Sequence, residues 1–275
     1  MNKTLNIPFW KMHGASNDFV MVDDRGGTFP VNDREWIARI GARRTGVGCE
    51  GIILIQPSKT SDFRMRFFNP DGSEVEMCGN GARCVARLAA EIGAAPDNMT
   101  IETIAGELRA EARGDTVRLW MTAPKDWRLD RTLQIEEASL GYSFVNSGVP
   151  HTVVPVDNLK TFNVKKYGAL IRYHRDFAPA GTNANFIAVT GPDSLAIRTY
   201  ERGVEDETLA CGTGMTAAGL IAGKLGLCRS PVKVTCASGD TLEIGFTLTD
   251  DGARDVTLTG PAVHVFTGNL TYPLK

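Results

Sequence analysis

At 275 residues the chain is long enough for one large domain or two of roughly half that size each. Apolar residues make up 43% and charged residues 23%, an ordinary globular composition, and the net charge is −2 with both signs interspersed. No basic stripe is present for nucleic acid or an anionic membrane surface, so a small-molecule substrate is the expected partner. In chain order, residues 8–23 read as two short strands around the turn-rich His13-Gly14-Ala15-Ser16-Asn17-Asp18. Asp33 caps a helix running to about Arg43, with Arg43 and Arg44 at the end that the helix dipole favours for cations. Gly51–Gln56 is an apolar strand, and Phe63–Phe68 alternates as a half-buried one. Asn69-Pro70-Asp71-Gly72-Ser73 is a turn with Pro and Gly where turn geometry wants them. A helix follows near 79–92, then strands near 99–104, 107–113 and 116–122, joined by hairpin turns at Gly106 and Gly114-Asp115.

Residues 124–137 are polar and aperiodic, which places a domain boundary there. The N-terminal half is expected over 1–123, joined by a C-terminal strand at about 267–275, and the C-terminal half over 124–266. Strands near 142–147 and 151–156 flank Ser147-Gly148-Val149-Pro150-His151, and an amphipathic helix covers 163–174. Residues 179–185 read as a loop before strand 186–189, and 195–200 is a further strand. An acidic segment, Glu205-Asp206-Glu207, leads to a helix near 212–225, and strands near 232–236, 241–248, 255–259 and 262–270 close the chain. Residues 1–14 lack the apolar centre of a signal peptide, and the run Leu220–Leu227 is too short and too interrupted to span a membrane. A cytoplasmic protein with reduced thiols is the expectation.

Two stretches repeat one pattern. Cys78-Gly79-Asn80-Gly81 and Cys211-Gly212-Thr213-Gly214 stand 133 positions apart, close to half the chain, and each opens a small, apolar helix. Helices of that composition are expected inside a shell of sheet, with their cysteines at the N-termini. There the first backbone N–H groups lack partners within the helix and the dipole is positive, so the end holds a carboxylate and favours a thiolate. The six cysteines contain no Cys-x-x-Cys pair and no Cys/His cluster, which argues against a metal site. No Gly-x-Gly-x-x-Gly joins a strand to a helix, which argues against a dinucleotide cofactor. The order strands, buried helix, strands recurs in both halves. The fold class is therefore α+β with two similar halves, and if these pack about a pseudo-twofold axis both cysteine-bearing helix ends would point into one cleft. Two thiols on opposite faces of an α-carbon would suit stereoinversion, one removing a proton and the other supplying one.

The motifs His13-Gly14 with Asn17-Asp18-Phe19, Asn69-Pro70-Asp71-Gly72-Ser73-Glu74, Cys78-Gly79-Asn80-Gly81-Ala82-Arg83-Cys84, and Glu201-Arg202-Gly203 with Thr208 and Cys211-Gly212-Thr213-Gly214 resemble those of diaminopimelate epimerase. The loop Gly181–Phe186 and the strand Thr259-Gly260-Pro261-Ala262 are similar to that family as well. The resemblance implies a cofactor-independent epimerase that interconverts LL- and meso-2,6-diaminopimelate, in lysine and peptidoglycan-precursor biosynthesis, as a homodimer. It also implies an α+β fold of two pseudo-symmetric domains, each a central helix wrapped by mainly antiparallel sheet, with the active site in the cleft between them. It implies Cys78 and Cys211 as the acid–base pair. Gly79, Asn80, Gly212 and Thr213 would donate to the reacting carboxylate, while Asn17, Asn69, Asn183 and Arg202 would hold the substrate. His151 and Glu201 would support catalysis near the reacting amino group, with Glu201 also touching substrate. On the residues alone, Asn17 also reads as a turn residue, His151 as a loop histidine with its bonds satisfied, and Glu201 as a solvated charge. Two positions depart from the pattern: Gly51, where some members carry Gln, and Val149, where some carry Asn. Cys84 lies too far into its helix to feel the dipole and is assigned to packing. The rival readings are an epimerase of proline-like substrates and a redox sensor in which Cys78 and Cys211 form a disulfide.

Overall fold

The computed structural model describes residues 3–136 and 138–274. The chain divides into two compact units, Met1–Leu119 with Gly260–Lys275, and Trp120–Thr259. The division falls at 119/120 and 259/260, beside the expected 123/124 and 266/267.

In the first unit β1 (Thr4–Gly14) pairs antiparallel with β2 (Asn17–Asp23), and helix α1 (Arg34–Gly41) then crosses to β3 (Gly51–Gln56), parallel to β2. β4 (Phe63–Phe68) is antiparallel to β3, and the two-residue β5 (Glu74–Val75) pairs with β4. Helix α2 (Gly79–Glu91) crosses to β6 (Asn98–Thr103), parallel to β4, and β7 (Gly106–Arg113) and β8 (Thr116–Trp120) follow as antiparallel hairpins. Strand β18 (Val263–Pro273) returns to pair with β1. Every residue from Gly51 to Ile55 is buried because β3 has covered faces on both sides. Ile52 and Leu54 join Trp36, Ile37 and Ile40 of α1, while Ile53 meets α2 at Gly81. That explains the continuous apolar run, which an alternating strand would not need. Asp33 caps α1 by accepting from the Trp36 amide at 3.0 Å, as expected, though the helix ends at Gly41.

The second unit repeats this plan. β9 (Lys125–Ile135) pairs with β10 (Ala138–Asn146), which pairs antiparallel with β11 (Pro150–Pro155). Helix α3 (Val164–Arg172) crosses to β12 (Asn183–Gly191), parallel to β11, and β13 (Ser194–Glu201) is antiparallel to β12. After the short β14 (Asp206–Thr208), helix α4 (Gly212–Lys224) crosses to β15 (Val232–Thr235), parallel to β13. β16 (Thr241–Thr249) and β17 (Gly252–Pro261) complete the sheet antiparallel. Each unit thus has the same succession of antiparallel and parallel pairs, one helix crossing outside and one inside. α2 packs on β1, β2, β3 and β7, and α4 on β10 to β13, β15 and β16. α4 is buried without interruption from Gly214 to Gly223, as its all-round apolar composition predicts.

Three expectations need correction. Residues 125–135 are not an irregular linker but an eleven-residue strand, laddered to β10 with only Leu133 and Ile135 buried. A strand exposed on most of its length carries no hydrophobic alternation to read. Asn183–Asn185 belong to β12 and not to the preceding loop. β14 begins inside the acidic segment and is too short to leave a periodic signal.

Candidate active site

Each repeated cysteine is the last extended residue before its helix. Cys78 has φ −135° and ψ 125°, and Cys211 has φ −126° and ψ 106°. The helical ladders begin with Ala82 N–H to Cys78 O at 2.8 Å and Met215 N–H to Cys211 O at 2.9 Å. The amides of residues 79–81 and 212–214 therefore precede the ladder, and neither cysteine side chain caps them. Such a turn is an anion-binding end, and its N–H groups are reached across glycine. Cys211 is buried, at 8% exposed, and Cys78 is half-buried. Cys49, Cys84 and Cys228 are buried, and burial raises each thiol, that of Cys84 to about 12. Cys84 lies inside α2 as a packing residue, as expected.

In the first unit, Ala15 and Ser16 take left-handed φ values of 55° and 62° in a two-residue hairpin turn, which sets Asn17 opposite Gly14 at the start of β2. Asn17 is bonded on both ends of its amide. Its Nδ2 donates to Glu50, and its Oδ1 accepts from Asn80 Nδ2 at 3.4 Å and from Cys78 Sγ at 3.6 Å. Burial and the neighbouring Asp18 raise the Glu50 carboxyl. Burial acts on Asp18 too, but bonds from Arg43 at 2.7 Å and Lys11 at 2.6 Å hold its carboxyl below the usual range. The structure thus joins Asn17, Cys78 and Asn80. Asn69 bonds inside its own turn, accepting from Gly72 N–H at 2.9 Å and donating from Nδ2 to Ser73 Oγ at 3.4 Å.

In the second unit the register builds a connected polar chain beneath Cys211. His151 on β11 pairs with Asn183 on β12, and Asn185, one pleat on, lies opposite Thr199 on β13. Cys211 Sγ is 3.6 Å from Thr213 Oγ1, which is 2.9 Å from His151 Nε2. His151 Nδ1 is 3.1 Å from Asn185 Nδ2, and Asn185 Oδ1 accepts from Thr199 Oγ1 at 3.0 Å. His151 is fully buried. Burial first, then the charge of Arg202, lowers its pKa to about 3, so the imidazole is neutral. Thr213 is fixed further by Ser147 Oγ, which donates to its carbonyl at 2.8 Å. Asn183 Oδ1 accepts from the Arg202 amide at 2.8 Å, and Arg202 Nη1 donates to Ala180 O at 3.1 Å. Glu201, at the end of β13, accepts from Thr208 Oγ1 at 2.9 Å. Asn185 and Thr199 are the residues that sequence reasoning missed. The spacing of Asn183 and Asn185 carries a signal for Asn185 alone, once both are placed in a strand, where alternate residues share a face.

Among the described residues no cluster of three or more His, Cys, Asp or Glu is arranged to hold a metal ion, and no helix is long and apolar enough to cross a membrane. Compared with known proteins, the sequence matches the family described as diaminopimelate epimerase over residues 9–127 and 143–265. This chain belongs to the diaminopimelate epimerase family. The diaminopimelate epimerase of Aquifex aeolicus is 42% identical over 277 residues, spanning 96% of this chain and 98% of that protein. Those of Chlorobaculum tepidum and Archaeoglobus fulgidus are 42% and 41% identical, over 94% and 97% of this chain and 100% and 97% of theirs. Among solved structures, a phenazine biosynthesis protein of the PhzF family from Bacillus anthracis superposes with a TM-score of 0.72 at 18% identity, over 97% of this chain and 99% of that one. A hydroxyproline epimerase from Agrobacterium vitis with bound trans-4-hydroxy-L-proline gives 0.69 at 16% identity, over 98% and 94%. At those identities the likeness is one of fold alone.

One departure from the family pattern now has a physical reason. A Cβ at Gly51 would lie 2.1 Å from the Phe67 ring, so Phe67 occupies the space a longer side chain would need. Val149 is half-buried, and its carbonyl accepts from the Ser147 amide at 3.3 Å; nothing in the structure explains its departure.

Proposed function

We propose that the chain interconverts LL- and meso-2,6-diaminopimelate by a two-base thiol mechanism, with Cys78 and Cys211 acting on one α-carbon. Membership of the diaminopimelate epimerase family over nearly the whole chain, with each cysteine immediately preceding a buried helix, carries this reading. The thiolate of one cysteine takes the α-proton and becomes a thiol. The electron pair stays on the substrate as a carbanion conjugated with its carboxylate. The thiol of the other cysteine gives its proton to the opposite face and is left as thiolate, so the two sulfurs exchange protonation states in each turnover.

The developing charge sits on a carboxylate that the first-turn amides of Gly79 and Asn80, and of Gly212 and Thr213, would hold. Preorganised dipoles of this kind stabilise the carbanion without reorganising as it forms. Asn17, Asn69, Asn183 and the guanidinium of Arg202 would hold the distal carboxylate and ammonium, a forked cation and several amides being suited to groups that must be recognised and left unreacted. Glu201 and His151 would stand by the reacting amino group, His151 as a neutral hydrogen-bonding group, since its lowered pKa denies it a charge. All of this chemistry is supplied by protein groups, with no bound cofactor or metal. We place the protein in the cytoplasm and assemble it as a homodimer.

The test is incubation of purified protein with LL-diaminopimelate and no added cofactor, followed by chiral chromatography. Meso product is expected, with rates in Cys78→Ala and Cys211→Ala reduced by at least about 10³-fold, within the range of a lost acid–base group. Trans-4-hydroxy-L-proline serves as the competing substrate. Turnover of that compound and not of diaminopimelate would overturn the substrate assignment.

A further inference from the structure

We propose that Asn185 is a positioning residue for Cys211: it fixes His151 as the tautomer protonated on Nε2, and so leaves the Thr213 hydroxyl to donate its proton to the Cys211 sulfur. The inference rests on the epimerase reading only in that Cys211 is there a reacting group.

The direction of each hydrogen bond fixes the tautomer. Asn185 Nδ2 lies 2.9 Å from the Thr152 carbonyl, which only accepts, so this end of the amide is the NH2. The opposite end, Oδ1, receives the Thr199 hydroxyl at 3.0 Å. With its orientation fixed at both ends, the second N–H of the amide points at His151 Nδ1, 3.1 Å away. Nδ1 must then present its lone pair. His151 is fully buried with the Arg202 charge acting on it, so the ring is neutral and its one N–H is on Nε2. That N–H donates to Thr213 Oγ1 at 2.9 Å. The hydroxyl accepts there, and its own proton turns to the sulfur 3.6 Å away. A thiolate receiving that proton is favoured over one facing a lone pair.

The packing of α4 supports the same role. A Cβ at Gly214 would lie 2.5 Å from Asn185 Oδ1 and 3.4 Å from Cys211 Sγ, so the glycine that closes the Cys-Gly-Thr-Gly motif admits the amide under the helix end. The counterpart in the first unit, Gly81, faces Ile53 and Phe19 instead. There the Cys78 sulfur meets the acceptor oxygen of Asn17. The polar chain belongs to Cys211.

The test combines histidine 15N spectra with kinetics on the full chain. In the native protein, His151 is expected to show a pyridine-like Nδ1 and a protonated Nε2, unchanged across about pH 5 to 9, well above its lowered pKa. In Asn185→Asp the carboxylate can only accept, so the proton moves to Nδ1, Nε2 accepts from Thr213, and the hydroxyl proton is withdrawn from Cys211. The kcat for LL-diaminopimelate should then fall about 10- to 100-fold, the range for a hydrogen bond to a charged group, with KM nearly unchanged. Asn185→Leu, which buries no charge, should lose the single tautomer and show a similar loss of kcat. A native protein that carries the proton on Nδ1 overturns the proposal, as does a variant with an altered tautomer and native kcat. A native protein with the expected tautomer but no epimerase activity overturns the epimerase reading instead.

Discussion

At the scale of single residues, function depends on which side chains hold protons. His151, ordinarily near 6.5, is lowered to about 3 by burial and the charge of Arg202. The unfolded chain therefore binds a proton on this residue at pH values where the folded chain does not. The stability this contributes is complete above pH 6.5 and is lost as pH falls toward 3. Denaturant midpoints measured stepwise through that window should decline in the native protein and decline less in His151→Gln. Thiols give a second check. Burial raises Cys49 and Cys84, so both should resist alkylation in the folded protein at neutral pH, while the partly exposed Cys78 is modified. Mass mapping of the alkylated sites measures this, and early labelling of Cys84 would contradict its packing role. The cysteine pair and its Gly-polar-Gly turns were legible in the sequence because the chemistry of a helix N-terminus is local. Asn185 and Thr199 were not, since they meet only through the register of β12 and β13.

At the scale of elements, caps and apolar composition were the readable features. Asp33 stands where a cap belongs, and Asp33→Ala should cost about 1 kcal/mol by denaturant titration. α4 showed its burial through having no polar face, and Leu220, fully buried, should cost about 2–5 kcal/mol when cut to Ala. Gly214→Ala adds a methyl 2.5 Å from Asn185 Oδ1 and should destabilise by about 1–3 kcal/mol while also displacing the Cys211 turn, so activity and stability should fall together. β9 was the longest element missed. Its residues carry Asp126 and Asp130 at φ values of 59° and 49°, and its ladder with β10 slips at two places, so the strand is held by its partner and not by its own pattern.

At the scale of the molecule, the duplicated motif marked a duplicated architecture. Both units run antiparallel hairpin, crossing helix, parallel strand, and then a second, buried helix headed by cysteine. Beyond the recurring order of strands and helices, the sequence shows this at Cys78 and Cys211, because the strands of the two units share a role and not a side-chain pattern. The return of β18 to pair with β1 joins two ends of the chain more than 240 residues apart, a pairing no local signal encodes. The proposed homodimer should sediment at twice the 29.8 kDa chain mass, and a monomer at working concentration would contradict it.

The central claim is that two thiols, one heading each buried helix, invert one α-carbon. Proton NMR in D2O tests it most directly. With LL-diaminopimelate and no added cofactor, deuterium should enter at an α-carbon of the substrate as meso product forms, and Cys78→Ala and Cys211→Ala should each suppress epimerisation. Epimerisation that persists in either variant, or no deuterium entry with the native protein, would contradict it.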